Sequence, residues 1–136
     1  MAEEVVFDFT KPAELTPAVE ASDKASSGVS VDATTFTAGD IKLAVDAAAS
    51  TNGCKLWTGT SAYDLRAYNG TKLTLTAPAG QPIVKVILGG SDVKKAKFGE
   101  TEIATGIWTG SETELVVTAT GTLKINTVTV IYGEEA

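Results

Sequence analysis

Two pairs of acidic residues are the first candidates for chemistry in this chain: Glu100 with Glu102, and Glu112 with Glu114. At i, i+2 on an extended strand, both carboxylates of a pair face the same way. A glycosidase-type pair needs its carboxyl groups about 5–5.5 Å or 6.5–9.5 Å apart in a cleft. Strand geometry alone brings i and i+2 near that range, so the spacing discriminates little. Solvent-facing charge beside a loop is the competing reading, because carboxylates are rarely buried. The other parts of hydrolytic chemistry are missing. The chain has no histidine, which removes Ser-His-Asp and Cys-His catalysis and every His-ligated metal site. The single cysteine, Cys54, cannot form an internal disulfide or a zinc cluster, and reads as a small buried hydrophobe. Asp32, Asp40 and Asp46 could offer oxygen ligands to calcium, but no EF-hand spacing joins them. The expectation is a protein without catalytic residues, transition metal or cofactor.

The binding candidates are aromatic and cationic. Trp57 in Leu56-Trp57-Thr58-Gly59 and Trp108 in Ile107-Trp108-Thr109-Gly110 both precede Thr-Gly near strand ends. A flat indole on a loop can stack on the C–H face of a sugar; the alternative is that both fill the core with their large apolar area. Arg66 is the only arginine and lies in Tyr63-Asp64-Leu65-Arg66-Ala67-Tyr68. It can pair with Asp64 across one pleat, or clamp a hydroxyl pair or carboxylate of a partner together with Tyr68.

Charge narrows the partners. With 11 Lys+Arg against 17 Asp+Glu the net charge is −6, and the pI is about 4.6. That balance argues against nucleic acid. The one basic block, Lys94-Lys95-Ala96-Lys97, reads as a solvated loop or an edge-strand guard. No stretch approaches the roughly 20 apolar residues that span a bilayer, so no membrane is expected. Met1-Ala2-Glu3-Glu4 runs directly into an apolar strand, without the basic and apolar regions of a secretory signal.

The elements that must position these residues are strands. Twenty threonines, 13 valines and 7 isoleucines suit a pleated, half-buried surface. Apolar and polar residues alternate in Val5–Phe9, Ile41–Asp46, Leu73–Thr76 and Thr127–Tyr132, the mark of strands with one face on a core. Asn69-Gly70 between Tyr63–Tyr68 and Thr71–Ala77 predicts a hairpin, and Thr120-Gly121 predicts another between Leu115–Ala119 and Thr122–Ile125. Thr10–Ala25, with Pro12 and Pro17, predicts a helical turn or ordered loop. Strands recurring every 8–12 residues or so predict one all-β domain over residues 1–136: an antiparallel, jelly-roll-like sandwich of about eight or nine strands.

The order Phe7-Asp8-Phe9-Thr10-Lys11-Pro12-Ala13, Leu15-Thr16-Pro17, Cys54-Lys55-Leu56-Trp57, Leu65-Arg66-Ala67-Tyr68-Asn69-Gly70, Trp108-Thr109-Gly110 and Ile125–Tyr132 resembles a β-sandwich module. Such modules occur in secreted and surface-anchored proteins of gut Bacteroidetes and in virion proteins of their crAss-like phages. The resemblance implies a non-catalytic module for adhesion or recognition, and it carries over no catalytic residue. A free-standing module without a signal suits a virion-surface protein, a capsid decoration or auxiliary protein assembled in the host cytoplasm onto capsid or fibre subunits. The alternative is a carbohydrate-binding or adhesin module, extracellular or on the cell surface, that takes a surface glycan.

Overall fold

The structure, a computed structural model, describes residues 3–11, 15–16, 29–30, 34–46, 54–58, 63–90, 93–103 and 105–133. Its strands form three antiparallel sheets. Sheet I runs in the order β1 (Glu3–Asp8), β14 (Thr127–Tyr132), β8 (Ile83–Gly89), β11 (Ile107–Glu112). Sheet II runs β10 (Thr101–Glu102), β9 (Ala96–Phe98), β12 (Glu114–Ala119), β7 (Lys72–Thr76), β4 (Ile41–Asp46), β3 (Thr35–Ala38). Sheet III runs β13 (Leu123–Ile125), β6 (Tyr63–Ala67), β5 (Cys54–Thr58), β2 (Val29–Ser30). The all-β, antiparallel, sandwich-like class expected from the alternation is the class observed. Among the described residues the only helical element is one 3-10 turn, Val93–Lys95, and none is long and apolar enough to cross a membrane. Residues 12–14 and 17–25 of the expected turn or loop lie outside the described residues.

Period-two patterning places the core. Ile41, Leu43 and Val45 of β4, Leu73 and Leu75 of β7, and Leu115 and Val117 of β12 point inward, while their neighbours are exposed or half-buried. From sheet I come Phe7, Ile83, Val86, Val128, Val130 and Tyr132; from sheet III come Cys54, Leu56, Leu65, Leu123 and Ile125. All join one hydrophobic cluster. Phe9 and Phe36 pack edge to face in it, with centroids 5.6 Å apart and an interplanar angle of 78°, the geometry aromatic quadrupoles favour.

Among the described residues fourteen strand segments stand where eight or nine strands were expected, in part because two strands bend and change sheet. Neither expected hairpin exists. β6 lies in sheet III and β7 in sheet II; β12 lies in sheet II and β13 in sheet III. The two changeovers run side by side. Ala119 N donates to Thr71 O at 2.8 Å, and Gly70 N donates to Ala119 O at 3.0 Å. Pairing continues through them: Lys72 stands opposite Thr118 and, five residues back on one strand and five forward on the other, Ala67 stands opposite Leu123. The segments β6–β7 and β12–β13 therefore make one antiparallel ribbon that bends from one sheet into another, as at the corners of sandwiches. Thr71 N closes a turn onto Tyr68 O at 3.0 Å, and Gly70 takes φ 97°, which a side chain would oppose. The Asn-Gly pair bends the ribbon and does not reverse it.

Candidate functional site

Sheet III holds Trp57 and Arg66. Trp57 stands opposite Asp64, while Arg66 stands between Lys55 of β5 and Lys124 of β13. Tyr68 leaves the end of β6, half-buried. The Trp57 side chain lies outside the described part of the structure. Arg66 Nε donates to Asp64 Oδ1 at 2.9 Å, so the expected strand-face ion pair is formed. It explains how Asp64 is tolerated at 6% exposure, since a buried carboxylate needs a donor.

Trp108 lies elsewhere, on β11 at the edge of sheet I, opposite Val86. It is half-buried, packs against the core cluster, and lines an open groove of about 640 Å3. The spacing Trp108-Thr109-Gly110 has a steric reason. A Cβ at Gly110 would lie 2.5 Å from Trp108 Cζ2, so the indole lies across a residue that must lack a side chain. Lys72, Lys97, Glu100, Glu112 and Glu114 also line this groove.

Glu112 and Glu114 belong to different sheets, yet with Glu100 they line the groove beside Trp108. Glu112 ends β11 in sheet I, Thr113 intervenes, and Glu114 begins β12 in sheet II. Glu100 lies in the turn before β10, its side chain 98% exposed, 3.7 Å from Lys97 Nζ. Glu102 is paired opposite Lys97 in β10. These are solvated charges. Asp40 precedes the six-residue β4 and Asp46 ends it, so their backbones are about 20 Å apart at strand rise and they cannot share a cation. Asp32 lies outside the described residues. Among the described residues no group of three or more His, Cys, Asp or Glu could hold a metal ion. Cys54 is buried, as expected. Of the basic block, Lys94 and Lys95 lie in the 3-10 turn linking β8 to β9, with Lys94 exposed, while Lys97 lies in β9, an interior strand of sheet II and not an edge.

The outer faces differ in how charge is paired. On sheet II one register row reads Asp46, Lys72, Thr118, Lys97, Glu102, so each lysine has a carboxylate residue on one side, the arrangement cross-strand electrostatics favour. On sheet III a row reads Ser30, Lys55, Arg66, Lys124, three cations in adjacent positions. On sheet I a row reads Val6, Thr129, Ile87, Ile107. Its two ends, Val6 at 49% and Ile107 at 43%, are the exposed large hydrophobics among the described residues. Sequence reasoning missed Ile107, Lys55 and Lys124 as surface features, because each gains meaning only from its cross-strand neighbours. No family model, curated protein or solved structure matches this chain.

Proposed function

We propose that this chain is a non-enzymatic docking module, a small virion-surface protein of the decoration or auxiliary type from a phage of gut Bacteroidetes. It would attach to capsid or fibre subunits through the outer face of sheet I. The observation that carries the docking reading is the row Val6–Thr129–Ile87–Ile107. It crosses all four strands of the sheet and ends in apolar side chains in water. Large apolar side chains left in water on one face of a small β-domain suit a partner-binding surface. Among the described residues β1 is an edge strand of sheet I, with no strand beside it beyond β14, and edge strands are ready sites for pairing with another chain. The virion setting rests on the resemblance of the sequence to virion modules.

The test is incorporation. Tagged protein carrying Val6→Glu or Ile107→Glu is expressed during infection and particles are purified. Both positions are exposed, so the domain should stay folded while incorporation falls at least about tenfold, the effect of burying an unpaired charge in an interface. Full incorporation of both variants would overturn the docking face.

A second reading, a glycan-binding module, is favoured by the groove in which Trp108 stands beside lysine and glutamate side chains. Quenching of tryptophan emission by neutral oligosaccharides, lost in Trp108→Ala, would put it first.

A further inference from the structure

The row Lys55–Arg66–Lys124 is an electrostatic anomaly in an acidic protein. The net charge is −6, yet three cations stand in adjacent register across β5, β6 and β13. Directly opposed residues have Cβ atoms about 4.5–5.5 Å apart, and like charges so placed destabilise a sheet. Sheet II of the same molecule avoids this, setting Lys72 against Asp46 and Lys97 against Glu102. On sheet III the nearest carboxylate, Asp64, is engaged by Arg66 at 2.9 Å. Lys55 and Lys124, both half-buried, make no ion pair among the described residues. The two lysines, which flank an already paired Arg66, gain a counter-charge when an anion lies over the row.

We infer that the outer face of sheet III, centred on Lys55, Arg66 and Lys124, binds a carboxylate-bearing sugar of the hexuronic-acid class. The row spans about 10 Å from β5 to β13, two strand spacings, a length suited to one or two sugar units. Asp64 fixes the guanidinium in the middle, and the flanking ammonium groups supply charge-assisted hydrogen bonds to carboxylate oxygens. One described aromatic residue adjoins the row along the chain: Tyr68 follows Arg66 by two residues, half-buried. Cations beside a tyrosine favour a ring that bears a carboxylate over an acidic peptide, which offers charge without a flat apolar face. The acidity of the rest of the chain disfavours nucleic acid, whose affinity depends on neutralising many phosphates. This inference stands apart from the docking face, which lies on sheet I.

The experiment is calorimetric titration of the full chain with oligogalacturonate, with a neutral galactose oligosaccharide of equal length, and with oligoglutamate. Lys55→Gln and Lys124→Gln are measured alongside, each with a thermal melt. Oligogalacturonate should bind, more weakly as salt rises, and each variant should lose about tenfold in affinity, the effect of one charge-assisted hydrogen bond. Both variants should melt no lower than the unaltered chain, because each removes like-charge repulsion. Several results would overturn the inference: no binding of oligogalacturonate, equal binding of the neutral sugar, tighter binding of oligoglutamate, or unchanged affinity in both variants. Lowered melting of both variants would also overturn it, because the lysines would then be structural. None of these outcomes bears on incorporation into particles.

Discussion

Tyr132, in the last strand, donates its hydroxyl hydrogen to Oε2 of Glu3, in the first, at 3.0 Å. The two residues are register partners at one end of the β1–β14 ladder, so this bond secures the edge strand that carries Val6. Removing it with Tyr132→Phe should cost about 0.5–1.5 kcal/mol in a urea titration, as for a typical hydrogen bond. The loss should be concentrated in β1, read as faster amide exchange at Val5 and Phe7.

The same tyrosine sets an alkaline limit. Burial first, then the hydrogen bond to the Glu3 carboxylate, raise its pKa above the ordinary 10.0, with a backbone hydrogen bond from Asp40 pulling the other way. The unfolded chain therefore gives up the phenolic proton before the folded one does. This contribution to stability is whole below pH 10 and is lost as pH rises through the folded-state value. Melting temperature should fall above pH 10, and Tyr132→Phe should fall less steeply over that range.

Asp64 and Arg66 should behave as a coupled pair. Arg66→Met leaves a carboxylate at 6% exposure without its partner and should cost roughly 1–3 kcal/mol. The double variant Asp64→Leu with Arg66→Met should regain most of that loss, because an apolar replacement of both partners leaves no buried charge. A double-variant loss equal to the sum of the Asp64→Leu and Arg66→Met losses, measured by denaturant unfolding, would show that the two residues do not act together.

Gly110→Ala should displace the indole of Trp108. The added Cβ would lie 2.5 Å from Cζ2, far inside van der Waals contact, and Trp108 sits on an edge strand where it can swing outward. The expected result is a folded domain with red-shifted tryptophan emission and a stability loss of about 1–3 kcal/mol.

The bent ribbon should be intolerant of length changes at its corner. One residue inserted after Gly121 breaks the register that aligns Ala67 with Leu123 and turns Leu123 and Ile125 out of the core. That chain should fail to give a cooperative melt. The same insertion between Gly99 and Glu100, an exposed turn joining β9 and β10, should melt close to the unaltered protein.

Local alternation was enough to read the class of the fold and much of its core. Ile41, Leu43 and Val45, or Val128, Val130 and Tyr132, each declare an inward face because the strand period is two and only apolar side chains are stable there. The Asp64–Arg66 pair and the burial of Cys54 were legible for the same local reason. What Asn69-Gly70 and Thr120-Gly121 do was not legible. A turn signal says that the backbone bends, while the sheet that receives the next strand depends on partners roughly 50 residues away. The surface rows were hidden for that reason as well. Val6 and Ile107 are 101 positions apart, and Lys55, Arg66 and Lys124 are scattered along the chain. Only the pairing of β1 through β14 and β8 to β11, and of β5 through β6 to β13, brings each set into a line. Side-chain period is a property of one strand, whereas register and sheet order belong to the packed whole, where burying every apolar face at once selects a single arrangement.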